Sequence, residues 1–222
     1  MAKVYAVLNG KGGVGKTTTA VHLAAFMSTK GPTLLIDADP KPTAAVWAAW
    51  RRDCTILPPE AKSPTTVRLL GRAVFDEGKQ LKDSYDYVVV DVGAQDTTSG
   101  RNALLLADEA ILPIGASDFD TASLEDTTQL IEMVKGFNEN LKVTALATRI
   151  DTKTKDAEDL ISFLKESEIK VFTNMVCERK AYRKATGLGM AVWELPSRYE
   201  GKKVRDKVAA DEILRVLNEV VQ

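Results

Sequence analysis

Apolar residues fall along this chain in two alternating patterns. Short, nearly continuous runs at residues 4–8, 33–36, 85–91, 110–114 and 142–149 have the length and β-branched content of strands buried on both faces. A run at 170–172 adds a short sixth. Between them lie longer stretches with helical spacing, at 18–27, 43–52, 65–82, 120–137, 156–166 and 206–221. In the 65–82 stretch the stripe is Val67, Leu70, Val74 and Leu81. Turn chemistry separates several segments: Pro58 and Pro59, Ser63 before Pro64, and a Ser117-Asp118-Phe119 turn ahead of the long helix. Strands alternating with helices predict an α/β fold with a mostly parallel twisted sheet and helices on both faces. At 222 residues, one domain covering 1–222 is expected.

The junction between the first strand and the first helix carries chemistry. Gly10, Gly15, Lys16 and Thr17 stand at the offsets of a phosphate loop. Gly10, Gly12, Gly13 and Gly15 lack Cβ atoms, so backbone N–H groups from Lys11 through Val14 can turn inward onto phosphate oxygens. The helix that begins near Lys16 and carries Thr18 adds its positive end. Lys16 reaches the β- and γ-phosphates, and the Thr17 hydroxyl is placed for magnesium. A strand before and a helix after are the setting this motif requires, so the α/β prediction sharpens to a three-layer P-loop NTPase fold binding ATP with magnesium. An ordinary phosphate loop needs only Lys16. From the residues alone, the second lysine, Lys11, reads as a solvated charge.

Acidic residues stand at the ends of two later strands. The 33–36 run leads into Asp37-Ala38-Asp39-Pro40, and the 85–91 run ends in Asp91. Carboxyl ends of parallel strands are where α/β proteins bind ligands. Buried carboxylates are costly unless paired, and magnesium with a triphosphate supplies a reason for them; a cap or turn role is the other reading for Asp37 and Asp39. Asp91 is expected to hold magnesium through water. The 92–96 segment after it reads as a switch loop, with Gly93 supplying flexibility and an exposed N–H.

Net charge is −1, but it is unevenly spread: residues 179–207 hold nine Lys/Arg against three Asp/Glu, leaving −7 for the remainder. Arg179, Lys180, Arg183, Lys184, Arg198, Lys202, Lys203 and Arg205 read either as a solvated basic surface or as a sequence-independent DNA contact. No helix-turn-helix or zinc finger is evident, which argues against direct operator reading. Two cysteines and one histidine make no disulfide framework and no zinc cluster. His22 reads as structural, and Trp47 and Trp50 as core or interface anchors. There is no signal peptide and no run of transmembrane length, so a cytoplasmic protein is expected.

Lys11-Gly12-Gly13-Val14-Gly15-Lys16-Thr17-Thr18 resembles the deviant phosphate loop of the ParA/MinD ATPases. Asp37-Ala38-Asp39-Pro40 and the strand ending in Asp91 resemble the same family, and the likeness spans nearly the whole chain. It implies that Lys11 crosses a dimer interface to the partner subunit's nucleotide. It implies that Asp37 supports the magnesium shell and that Asp39 orients or activates the attacking water. Lys11, Lys16 and Asp39 would then be catalytic. Thr148 and Arg149 resemble the segment beside the adenine, where an arginine plane can stack on the base. The family often has glutamine after Pro40, and Lys41 stands here instead. The Arg179-x-x-Tyr182-x-x-Ala185 pattern that opens the basic segment also resembles short ParA proteins, which lack a separate N-terminal DNA-binding domain.

The implied function is DNA partitioning: an ATP-induced homodimer binds non-specific, nucleoid DNA and is released when a small centromere-binding adaptor stimulates hydrolysis. Two alternatives share these residues. One is an ATPase that positions a protein cargo, such as a microcompartment or chemoreceptor cluster. The other is a MinD-like ATPase on a membrane, which such relatives reach with a basic amphipathic tail; the 206–221 helix is not basic beyond Arg215. Core packing is therefore the expected role of that helix.

Overall fold

The computed structural model describes residues 2–94, 96–115, 121–151, 155, 158, 160, 162–164 and 169–222. Gln95 of the switch loop, the 117–119 turn and much of the 156–166 helix lie outside the described residues. Seven parallel strands form one sheet, in the order β3-β2-β4-β1-β5-β6-β7. They are β1 (Lys3–Val7), β2 (Thr33–Ala38), β3 (Thr65–Arg68), β4 (Tyr87–Val92), β5 (Glu109–Gly115), β6 (Lys142–Thr148) and β7 (Lys170–Val171). The helices are α1 (Lys16–Ser28), α2 (Thr43–Asp53), α3 (Ala73–Leu81), α4 (Thr97–Leu106), α5 (Thr121–Lys135), α6 (Lys180–Thr186) and α7 (Lys207–Val220). A hairpin of β8 (Arg198–Tyr199) and β9 (Lys202–Lys203) precedes α7.

The period of two along each strand sorts side chains into two cores. Val4, Ala6, Leu34, Ile36, Val88 and Val90 face α3, α4 and α5. Tyr5, Val7, Leu35, Val89, Ile111 and Leu146 face α1, α2, α6 and α7. Helix α1 is buried around most of its circumference, so it lies between the sheet and the outer helices. Helix α7 buries Ile213, Val216, Leu217 and Val220 in the same core. Among the described residues, no helix is long and apolar enough to cross a membrane.

The 65–82 stretch departs from the single helix its spacing predicts. Residues Thr65–Arg68 form the edge strand β3, in register with β2 from Leu34 to Asp37. The reason is local: Thr65, Thr66 and Val67 are β-branched, which favours an extended backbone. Gly71, at φ +58°, then turns the chain into α3.

His22 is fully enclosed within α1. Its Nδ1 donates to the Thr18 carbonyl at 2.7 Å, and its Nε2 accepts from the Val192 N–H at 3.1 Å. Tyr182 and Trp193 meet it edge-on, each at 5.7 Å. Burial pushes the imidazole down to about 4, against the pull of the Thr18 carbonyl. The unfolded chain takes up this proton near 6.5, so the folded state loses stability as pH falls from about 6.5 toward 4. The full effect is about 3 kcal/mol. Urea midpoints measured across that window should fall with pH in the native chain and be flatter in His22→Gln.

Helix α2 is held from its far end. Arg51, 1 % exposed, makes a two-pronged contact with Glu194 at 2.7 Å on both oxygens. It also donates to the Gly189 carbonyl and to Ser63 Oγ. The Trp47 indole N–H donates to the Met190 carbonyl at 3.3 Å. Trp47 is therefore core, whereas Trp50 on the same helix is 49 % exposed.

Candidate functional site

The 8–15 loop leaves β1 at the centre of the sheet, where later strands are added on both sides. This is the topological switch point of the fold. Asn9 pins the loop entry, donating to the Pro113 carbonyl at 2.9 Å and accepting from the Lys11 N–H at 2.9 Å. The Gly10 N–H donates to Thr127 Oγ1 of α5 at 3.3 Å. Gly13 and Gly15, at φ +82° and +97°, lie in the left-handed region that side chains disfavour.

Backbone N–H groups can face an anion only if the neighbouring carbonyls turn elsewhere. Side chains hold three of those carbonyls. Lys16 Nζ donates to Lys11 O at 2.7 Å, Arg149 Nη1 to Gly13 O at 3.0 Å, and Thr148 Oγ1 to Val14 O at 2.7 Å. Thr148 and Arg149 therefore brace the loop from the end of β6. They also line a second pocket beside it, with Gly13, Thr18, Cys177 and Tyr182.

Asp37 and Asp91 meet at the carboxyl ends of β2 and β4, and Asp39 follows directly after β2. Asp37 and Asp91 are direct partners in the parallel register. Asp37 Oδ2 accepts from the Ala45 N–H at 2.7 Å, and its Oδ1 from the Asp39 N–H at 3.1 Å. Burial raises the Asp37 carboxyl, against these two bonds and Arg68. Asp91 differs: neither of its buried oxygens has a hydrogen-bond partner among the described residues. Burial pushes it up to about 7, with Asp37 and Asp39 adding and the Thr17 hydroxyl and Lys16 opposing. Lys16 is itself lowered by burial, against the pull of Asp91 and Asp39.

Such a carboxylate is poorly satisfied by the protein alone, and a cation beside Thr17 would complete it. Among the described residues no cluster of three or more His, Cys, Asp or Glu forms a cage for a metal. A hard cation here would therefore take its remaining oxygens from water and from a phosphate ligand, as magnesium commonly does. The site fits that ion through Asp91 and Thr17 first, with Asp37 supporting.

Asp39 lies across a cleft from the loop, with Gly12, Lys16, Thr17 and Lys41. Its Oδ1 accepts from the Lys41 N–H at 2.8 Å. Gly93 packs so closely that a Cβ would come within 2.9 Å of the Asp39 carboxylate. A residue larger than glycine there would have to displace the Asp39 side chain or Pro40. Arg68 was hidden by reading 65–82 as one helix. From the end of β3 it donates to the Pro40 carbonyl at 3.3 Å and faces Asp37. The Thr-Thr-Val run after Pro64 was the available signal. Asn9 lies outside the motif, and Thr127 is 117 residues from Gly10; no local pattern links them.

The basic segment divides between two faces. Lys180 and Lys184 of α6 line one cleft with Lys203, Arg205 and Lys207. Lys184 Nζ sits over the Tyr199 ring at 4.6 Å, joining α6 to the hairpin that carries Arg198 and the exposed Lys202. Arg179 and Arg183 instead line the pocket beside Thr148 and Arg149. Arg179 is further engaged with Glu212 at 2.9 Å. The structure therefore does not bring those two arginines into the basic cleft.

A glycine loop between a central parallel strand and a buried helix, facing strand-end aspartates, defines a phosphate-loop nucleotide-binding protein. The chain belongs to the CobQ/CobB/MinD/ParA nucleotide binding domain family, whose model matches residues 5–192. It is 34% identical over 209 residues to the maintenance of carboxysome distribution protein A of Gloeobacter kilaueensis, covering 93% of this chain and 89% of that protein. It is 26% identical to the chromosome-partitioning ATPase Soj of Treponema pallidum, covering 97% and 98%. Among solved structures, an ATP complex of a Cyanothece McdA variant superposes with a TM-score of 0.72 at 19% identity, covering 99% of this chain and 96% of that one.

Proposed function

We propose that this chain is an ATP-hydrolysing positioning switch whose cargo is a protein assembly. The observation that carries the reading is the loop of residues 10–18, with its Lys11, Gly13 and Val14 carbonyls held by Lys16, Arg149 and Thr148, together with the buried Asp91 carboxylate, whose oxygens lack a hydrogen-bond partner among the described residues. Gly10, Lys11, Gly12, Gly13, Val14, Gly15, Lys16, Thr17 and Thr18 hold the phosphates of ATP. Thr17, Asp37 and Asp91 hold magnesium, which when bound neutralises charge on the β- and γ-phosphates. Asp39 orients the attacking water, and Gly93 lets that carboxylate and the switch loop close together. Lys11 reaches the nucleotide of a second subunit, so association depends on ATP. Thr148 and Arg149 border the base.

The basic cleft, presented twice by a dimer, binds DNA without regard to sequence through effective concentration. An adaptor on the cargo stimulates hydrolysis and releases the dimer from nucleoid DNA, which moves the cargo along. The Gloeobacter relative, similar along nearly its whole length, supports a protein cargo over a plasmid. The Treponema Soj relative favours a second reading, in which the cargo is a chromosome.

The test is light scattering and DNA binding measured with ATP, with ADP and without nucleotide. ATP should give a dimer and salt-sensitive DNA binding, and Lys11→Ala should lose both. A monomer under all three conditions, identical in Lys11→Ala, would refute the switch. A chromosome-segregation defect in cells lacking the gene, with no protein assembly misplaced, would favour the second reading.

A further inference from the structure

Arg149 has the backbone of a residue placed for a purpose. It sits at φ +53°, in the left-handed region, directly after β6. Backbone bonds fix it there. Ile150 pairs with Cys177, the Ile150 N–H donates to Val176 O at 3.2 Å, and the Glu178 N–H donates to Ile150 O at 3.0 Å. This zipper sets Glu178 beside Arg149. Glu178 Oε2 accepts from Arg149 Nε at 2.7 Å, while Arg149 Nη1 donates to Gly13 O. The guanidinium therefore uses separate edges for the loop and for the carboxylate. Arg183 stands 3.9 Å from the other Glu178 oxygen.

We propose that Glu178 is a positioning residue, acting through Arg149 to hold the Gly13 carbonyl away from the phosphate cradle. The inference rests on the reading of residues 10–18 as the ATP site. Both partners of the ion pair are about half exposed, at 45 % and 43 %, and such pairs contribute little to stability. The pair's use is orientation: a planar guanidinium with one edge fixed has its other edge aimed. Without Glu178 the guanidinium loses the contact that aims its other edge, the Gly13 peptide is held less firmly, and more of the loop's ordering falls to the nucleotide itself.

The experiment measures ATP affinity, turnover at saturating ATP and melting temperature in Glu178→Ala, Glu178→Gln, Arg149→Ala and the double alanine variant. Glu178→Ala should weaken ATP binding about fivefold, the scale of one charge-assisted contact, with turnover at saturation and melting temperature unchanged. Glu178→Gln, which keeps an acceptor oxygen, should recover most of that loss. Arg149→Ala, which removes the brace itself and a group bordering the base, should lose at least as much affinity as Glu178→Ala, and the double variant should be no worse than Arg149→Ala. Unchanged affinity in Glu178→Ala overturns the proposal. So do losses that multiply in the double variant, or losses that track a lowered melting temperature. Normal ATP affinity in Lys16→Ala would instead refute the site itself.

Discussion

Alanine at Lys16 is expected to lower ATP affinity roughly 100-fold, the equivalent of about 3 kcal/mol for charge-assisted hydrogen bonds to phosphate. The ammonium is already seated. It is 7 % exposed and bonded to the Lys11 carbonyl at 2.7 Å, so little entropy remains to be lost when ATP arrives. It is also the cation that opposes the rise of Asp91. Without it, the triphosphate would meet Asp37, Asp39 and Asp91 with no buried lysine between. Alanine is the best helix former, and Lys16 opens α1, so the fold should survive. Calorimetric titration with ATP, alongside circular dichroism, separates the outcomes. Native-like affinity in a folded variant would remove Lys16 from the phosphate site.

Glu194→Ala should have the largest effect on stability. The substitution strands the Arg51 guanidinium, which is almost wholly enclosed. Breaking one side of a buried pair costs about 3–5 kcal/mol because the remaining charge stays out of water. The Glu194 Oε2 bond from the Ala191 N–H, at 2.6 Å, is lost as well. For a chain of this size, the melting temperature should drop by about 10 °C or more. Glu194→Gln, which keeps an acceptor, should fall less. The same network explains Gly189: at φ +67° its missing Cβ would strike the Arg51 backbone. Scanning calorimetry that found both Glu194 variants near the native midpoint would show Arg51 to be compensated elsewhere.

These two outcomes differ in how visible their residues were beforehand. Lys16 belongs to a local motif, and the motif's chemistry needs only residues adjacent in sequence. The strand-end aspartates were legible for a similar reason: an apolar run ending in acid marks a buried strand meeting solvent or ligand. Arg51 and Glu194 carried no such mark. They are 143 residues apart, on a helix that reads as an ordinary amphipathic stretch and a loop inside a basic segment. The basic segment read as one surface, yet Arg179, just ahead of α6, and Arg183 line one pocket while Lys180 and Lys184 line another cleft. Charge counting cannot make that division, because helical phase decides it.

The layered α/β plan, the glycine loop and the strand ends at which ligand chemistry gathers are all legible in the order of residues. Each follows from short-range rules: backbone freedom at glycine, burial of apolar runs and the cost of an unpaired carboxylate. How the loop is braced emerges only in the folded chain. The Lys11, Gly13 and Val14 carbonyls are held by Lys16, Arg149 and Thr148, and Asp37 is satisfied by backbone while Asp91 is not. Those choices depend on which side chains parallel strands bring into register across more than a hundred residues, and spacing along the chain does not encode that distance.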